Sequence, residues 1–272
     1  MSHIPRIVFT YWEGDQLSVL HYYTILSLCT LNPHQEILIY TSNATSSTFI
    51  TWTTQEHSIP IHNKISLHEI VAISPRVKLI PIAFEADYQI SNQLSIVHKA
   101  DFVRIVKLYE HGGMWFDFDI LFIKPLPAYL FESTVDIYYF SYEDTIATGL
   151  LLSTPQNPHI TELYEKVRTR IHHVKNYQGI GPDLWRECLY QKSLASTVCL
   201  STSMVYPYIC TNYHLFFITS QDNTQNDTFG IHWYNGGAIT KQFINLFDNN
   251  RIHPDATVCH KYLYMIRQLQ SK

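Results

Sequence analysis

The sequence predicts an α/β fold. The chain opens with a β-rich run, a helical segment and a second β-rich run, the β-loop-α-β start of an α/β sheet. A strongly periodic helix over 91–111 is stopped by Gly112-Gly113 and leads straight into an apolar strand. No internal repeat, low-complexity tract or linker interrupts the chain, so one domain over 1–272 is the simplest organisation.

The elements follow in order. Arg6 to Tyr11 reads as a buried first strand, broken by Trp12-Glu13-Gly14-Asp15. Ser18 to Leu31 is helical and ends at Asn32-Pro33. Ile37 to Tyr40 is the second strand, followed by the polar loop Thr41 to Thr45. The mostly polar stretch from Thr45 to Pro75 is expected to hold short helices, and Val77 to Pro81 a strand. Within 91–111, Leu94, Val97, Ala100 and Leu108 lie near one helical face, with Asp101 and Arg104 beside them. Met114 to Phe118 is the apolar strand that carries Asp117. Ile137 to Phe140, Leu150 to Ser153 and Phe229 to Trp233 read as further strands. Thr161 to Val174, Asp183 to Gln191 and Tyr262 to Leu269 read as helices.

Composition narrows the function. A formal net charge of -4 supplies no basic field, which excludes a nucleic-acid binder and an anionic-membrane binder. Nineteen tyrosines suit a protein that stacks on rings, or equally a Tyr-rich core. The five cysteines, Cys29, Cys188, Cys199, Cys210 and Cys259, are scattered, with no paired spacing, and fit a reducing compartment. No stretch approaches the ~20 apolar residues of a membrane span, and the first residues lack the pattern of a signal peptide. A cytoplasmic protein, bacterial or virus-encoded in its host's cytoplasm, is the expectation.

The chemistry centres on Asp117-Phe118-Asp119. Two carboxylates at the end of an apolar strand are costly to bury together, and a divalent cation removes the conflict. Hard cations take oxygen ligands, a few from protein and the rest from water and phosphate. Residues one apart on a strand point to opposite faces, so the pair can clamp an ion only if the chain turns after Asp117. Taken alone, the triplet also fits two surface carboxylates at a strand end.

Its context is more specific. Ala100-Asp101-Phe102-Val103-Arg104, then Leu108-Tyr109-Glu110-His111-Gly112-Gly113-Met114-Trp115-Phe116-Asp117-Phe118-Asp119, resembles the core motif of the glycosyltransferases whose sugar-binding region contains a DXD motif. These include glycosyltransferase family 32 and, more distantly, the clostridial glucosylating toxins. The opening Ile4 to Gly14 and the strand end Tyr40-Thr41-Ser42-Asn43 resemble the same family. The likeness covers roughly the first half of the chain; beyond it only Gly179 to Pro182 and Ile231 to Trp233 match. Ala100 stands where toxin-like relatives carry Ser, and Glu13 where an apolar residue is usual.

The resemblance implies a GT-A fold, Rossmann-like, with a mostly parallel central sheet flanked by helices. Residues 1–125 would form the nucleotide and donor half and 126–272 the acceptor side. It implies that Tyr11, Trp12 and Asn43 lie at the nucleotide and that Asp101 and Arg104 face the donor sugar. An ordinary intrahelical ion pair is the other reading of the last two. Trp115 would border the sugar or fill the core. Trp12 is either a base-stacking ring or a core aromatic. Asp117 and Asp119, with His232 from a late segment, would hold the cation, and Trp233 would stand beside them. His253 and His260 compete with His232, and Lys241 reads as a phosphate ligand or as solvated surface. An imidazole ligand favours Mn²⁺ over Mg²⁺.

The expected activity is transfer of a sugar from a nucleotide-sugar donor, UDP-linked by resemblance, to a glycan, a glycoprotein or another hydroxyl acceptor. Asp101, Arg104, Asp117 and Asp119 would carry it. Charge builds on the departing diphosphate, so electrostatic stabilisation is the main requirement. Retention of anomeric configuration is implied by the family. An inverting enzyme would need a carboxylate near the acceptor, and Glu143, Asp144 and Asp183 have the right chemistry. A non-catalytic carbohydrate-binding protein is the alternative of a different class.

Overall fold

The computed structural model describes residues 3–42, 59–189 and 196–271. Chain order gives β1 (Ile7–Glu13), β2 (Gln16–Ser18), β3 (Glu36–Ser42), β4 (Lys64–Ser66), β5 (Val77–Pro81) and β6 (Gly113–Phe116) in the first half. The second half adds β7 (Ile120–Phe122), β8 (Ile137–Tyr142), β9 (Thr145–Ser153), β10 (Thr197–Leu200) and β11 (Gly230–His232). Seven of these form one sheet in the order β10-β8-β9-β6-β1-β3-β5. Pairings β5-β3, β3-β1, β1-β6 and β8-β10 are parallel, and only β6-β9 and β8-β9 are antiparallel. The mostly parallel sheet expected from the sequence is therefore present, with a β8-β9 hairpin extending one side.

Alternation along the strands decides which side chains meet which layer. Val8, Met114 and Phe116 belong to one core cluster, whereas Phe9, Tyr11 and Trp115 belong to the opposite one. The second cluster packs under the helix Ile96–Glu110 through Phe102, Val103, Ile105 and Val106. A third cluster lies between the helix Val19–Leu31, strands β7 and β11, and the C-terminal helix Val258–Gln270.

The predicted helix over 91–111 begins later, at Ile96, because the Ser95 hydroxyl accepts the His98 amide at 3.3 Å and caps it there. Its stop is as expected. Gly112 and Gly113 have φ of +67° and +99°, and a Cβ on Gly113 would collide with the Ile7 carbonyl where β6 docks on β1. β1 runs on through Trp12 and Glu13, and the break falls at Gly14, φ +92°. Of the stretch expected to hold short helices, the described part contains β4 and one helix, Leu67–Val71. Strand β10 and the helix Ala238–Leu246 were not anticipated. No described helix is long and apolar enough to cross a membrane.

β7 and β11 form a separate antiparallel pair in which His232 lies opposite Ile120. This pairing joins the C-terminal half to the segment just after the Asp117 turn.

Candidate active site

Strands β1 and β6 run parallel and end side by side, so Trp12 and Asp117 sit at the carboxyl edge of the sheet. Open α/β sheets place ligands there. The chain leaves β6 at Asp117, whose amide donates to the Gly149 carbonyl at 2.6 Å. It turns at once, the Ile120 amide donating to the Asp117 carbonyl at 3.2 Å. The turn needed to bring both carboxylates together is thus built into the backbone.

Asp117 Oδ1 accepts from Arg104 Nη2 at 2.9 Å and from Trp115 Nε1 at 2.8 Å. Its other oxygen, Oδ2, faces His232 Nε2 at 3.9 Å. Asp119 Oδ1 lies 3.2 Å from the same His232 nitrogen, and Asp119 Oδ2 accepts the Asn235 amide at 2.8 Å. The three side chains offer ligand atoms that all lie within 4.8 Å of one another. Two carboxylates and one imidazole are a plausible donor set for Mn²⁺ or Mg²⁺. Burial would lower the His232 pKa, but the Asp119 and Asp117 carboxylates overcome it and raise it to about 9.

Arg104 is the hub of the donor side. Its Nη1 donates to Asp101 Oδ1, its Nη2 to Asp117, and its guanidinium lies 4.8 Å from the Trp115 ring centroid. Burial raises the Asp101 pKa, with the Asp117 charge adding and Arg104 opposing, to about 6. For Asp117 burial also raises it, but Arg104, His232 and Trp115 prevail and hold it at about 2. Gly181 closes over Asp101; a Cβ there would come within 2.6 Å of its carboxylate.

A cavity of about 310 Å³ opens beside these groups, bounded by Trp12, His21, Asp101, Arg104, Asp117 and Asp119 among others. A smaller one lies directly over Asp117, Asp119 and His232. Tyr11 borders the larger cavity, but its hydroxyl is tied to Glu13 at 3.0 Å and its ring packs on Phe84. Glu13 also accepts from the buried Lys99 at 2.7 Å, which explains a carboxylate at the end of this strand. Trp12 is half-buried against His21 and Phe118 while bordering the cavity, so both of its readings are met in part. Trp115 is buried and acts on Asp117 through its indole N–H.

Other expectations need correction. Trp233 is 1% exposed, inside the third core cluster with its Nε1 on Thr24, and is not a wall of the cavity. Lys241 is buried, not solvated. Glu143 and Asp144 are exposed on the β8-β9 turn, and Asp183 accepts from Asn176 at 3.0 Å. None of these three borders the cavities that contain Asp117. Asn43 lies outside the described residues. His260 caps the C-terminal helix start with Thr257, far in role from the carboxylates.

Several contributors went unanticipated. His21 borders the larger cavity, and its Nδ1 accepts the Ser18 amide at 3.0 Å, so the neutral ring carries its proton on Nε2. Burial lowers its pKa to about 4 and keeps it neutral. Tyr234 packs edge-on to His232 at 4.2 Å between centroids, and Tyr206 lies on the same ring at 5.4 Å.

Residues 20–137 match the family model described as "Glycosyltransferase sugar-binding region containing DXD motif". The Asp117-Phe118-Asp119 segment belongs to a glycosyltransferase. The match does not single out family 32 within that group. No curated protein matches the chain. Among solved structures, the PaToxG glycosyltransferase aligns over 70% of each chain with a TM-score of 0.51 and 16% identity. The galactosyltransferase LgtC, solved with donor and acceptor sugar analogs, aligns over 97% of this chain and 95% of its own at TM-score 0.48 and 13% identity. GlyE of Streptococcus pneumoniae TIGR4 covers 90% of this chain and 62% of its own, at TM-score 0.45 and 16% identity. At such identities the PaToxG likeness speaks for the fold alone, and the mostly parallel sheet agrees with the GT-A type of this glycosyltransferase.

Proposed function

We propose that this glycosyltransferase moves a sugar from a nucleotide-sugar donor, UDP-linked, to a hydroxyl of a glycan or glycoprotein, with retention and with a divalent cation. The observation that carries the reading is the convergence of Asp117, Asp119 and His232 within 4.8 Å, where they line the smaller cavity and the two aspartates also border the larger one. A cation bound there would neutralise charge growing on the departing diphosphate. Imidazole among the donors favours Mn²⁺ over Mg²⁺.

The protein's own groups have separable tasks. Trp12 supplies an aromatic surface for the base at the end of β1. Asp101 accepts from hydroxyls of the donor sugar, while Arg104 orients Asp101 and holds Asp117 Oδ1, leaving Oδ2 toward the cation site. Asn235 fixes Asp119 in the same way through Oδ2. Retention follows the resemblance to the DXD-containing glycosyltransferases; Glu143, Asp144 and Asp183, the carboxylates considered for inversion, do not border the cavities at Asp117.

The test is thermal unfolding with UDP and UDP-sugars in Mn²⁺, Mg²⁺ or EDTA. Ligand at a hundred times its Kd stabilises by about 2.7 kcal/mol, a shift of a few degrees for a chain of this size. The shift is expected with Mn²⁺, to be weaker with Mg²⁺, and absent with EDTA or in Asp119→Ala. Absence of any shift across all nucleotides and metals would leave the carbohydrate-binding reading in its place.

A further inference from the structure

A third cavity, of about 220 Å³, shares Asp117 and Thr148 with the donor cavity and lies beyond the His232 side of the metal-ligand cluster. Tyr142, Tyr206 and Tyr234 contribute three aromatic side chains to its wall, with Ile209 and Ala147 adding apolar surface. At ~30 Å³ per water its volume holds about seven waters, the bulk of a single sugar ring. Tyr206 borders it as a nearly buried ring, 8% exposed, with its hydroxyl turned toward the Leu150 backbone. Gly149 is also on the wall, and a Cβ there would fall 2.8 Å from that hydroxyl and 3.2 Å from Asp117 Oδ2. A glycine thus leaves this wall without a side chain where Tyr206, His232 and Asp117 come together.

We propose that this tyrosine-lined cavity is the acceptor subsite and that it takes one pyranose ring carrying the accepting hydroxyl. The inference rests on the transferase reading above. Aromatic faces suit the C–H faces of a pyranose, and the polar edge formed by Thr148, Thr202 and His232 suits its hydroxyls. A peptide acceptor would find no charged rim in this wall beyond Asp117 and His232. In the transfer step the acceptor oxygen bonds to the anomeric carbon of the donor. The bond from that carbon to the diphosphate oxygen breaks, its electron pair leaves with the diphosphate, and the hydroxyl proton passes to a phosphate oxygen.

Cys210 gives a direct handle, because it is exposed and lies on the same wall. The full chain is treated with methyl methanethiosulfonate or with a bulky maleimide, and modification at Cys210 is followed by mass spectrometry. Cys210→Ser is treated in parallel, so that modification at the other exposed thiol, Cys199, is controlled. Donor binding is read as the UDP- and Mn²⁺-dependent thermal shift, and transfer as UDP release above the water background with a panel of p-nitrophenyl hexosides. The expected result is loss of hexoside-dependent turnover on maleimide labelling, with the UDP shift retained and Cys210→Ser protected. Tyr142→Ala, which removes the exposed ring of this wall, is expected to raise the hexoside KM about tenfold, while the KM for the nucleotide sugar stays within about twofold. The assignment is overturned if no hexoside exceeds the water background in the unmodified protein. It is equally overturned if complete labelling leaves hexoside turnover unchanged, or if labelling abolishes the UDP shift. If the unmodified protein shows no UDP shift, the transferase reading itself has failed, and that result is distinct from the other three.

Discussion

Replacing Arg104 by Met is the sharpest probe of the site's electrostatics. Arg104 has 5% of its side chain exposed and neutralises Asp101 and Asp117 together. Met fills much of the volume but leaves both carboxylates without that counter-charge. Asp117, held at about 2 in spite of burial, would return to the ordinary range near 3.8 or above it. At ~1.4 kcal/mol per pH unit this forfeits roughly 2–3 kcal/mol at neutral pH. Asp101 already sits at about 6 because burial outweighs Arg104. Without Arg104 it would be protonated at pH 7, which adds roughly 1 kcal/mol. The combined deficit of roughly 3–4 kcal/mol agrees with the ~3–5 kcal/mol that follows removal of one partner from a buried ion pair. The sign with pH is defined. A carboxyl whose folded pKa is raised contributes stability below its unfolded pKa and loses it as pH rises through the folded value. At pH 5.5 Asp101 is mostly protonated in both proteins, so its part of the deficit disappears and roughly 2–3 kcal/mol remains. Urea unfolding followed by tryptophan fluorescence at pH 7.0 and 5.5 measures both figures. A deficit below about 1 kcal/mol at pH 7, or one that does not shrink at pH 5.5, would refute the claim that Arg104 is the shared counter-ion.

Three further outcomes follow from the same geometry. Asp101→Asn should flatten the loss of stability that the native protein shows between about pH 4 and pH 6, measured by urea midpoints across that range, and should also abolish transfer. His21→Phe, which keeps the ring packing, and His21→Gln, which keeps the Ser18 cap as a Gln three residues into the helix can, should each weaken UDP binding about tenfold by calorimetry. Unchanged affinity in both would mean that the His21 wall of the larger cavity does not bear on the nucleotide. Gly149→Ala should lower kcat about a hundredfold and weaken Mn²⁺ binding with it, because its Cβ would press on Tyr206, His232 and Asp117 Oδ2. A kcat within threefold of the native value would show that close packing at Gly149 does not bear on the site.

How much of this was legible in the sequence depended on the distance over which each feature is specified. The Asp117-Phe118-Asp119 turn follows from neighbours: a capped helix, a glycine pair forced into positive φ, and a short apolar strand. The α/β class followed from the opening β-loop-α-β unit, and the mostly parallel sheet from the family resemblance. His232 was only one histidine among fifteen, and what brings it to Asp119 is the pairing of β11 with β7, about 110 residues apart in sequence. Trp233 was misplaced for a reason visible afterwards. Side chains alternate along β11, so Ile231 and Trp233 enter the core while His232 faces the carboxylates. His21 sits within a nearly continuous apolar helix and offers no periodic signal to set it apart. Tyr206, Tyr234 and Gly149 come from segments whose local sequence carries no motif, and only the tertiary arrangement of β9 and β11 makes them neighbours.

The arrangement around the two aspartates also explains why the pair can wait for a cation without collapsing. Each carboxylate has one oxygen held by protein donors, Asp117 Oδ1 by Arg104 and Trp115, and Asp119 Oδ2 by the Asn235 amide. The remaining oxygens, Asp117 Oδ2 and Asp119 Oδ1, both turn toward His232 Nε2. The backbone reinforces this from both sides, since Asp117 donates to Gly149 and the Asp119 carbonyl accepts from Trp233 at 2.8 Å. The two carboxylates raise the His232 pKa against the effect of burial, so the ring carries positive charge between them. On the proposed reading a cation held here would displace that proton, because imidazole coordinates only in its neutral form. Its affinity would then rise with pH through the range in which His232 titrates, whereas a site built from carboxylates alone would bind with little pH dependence above pH ~5.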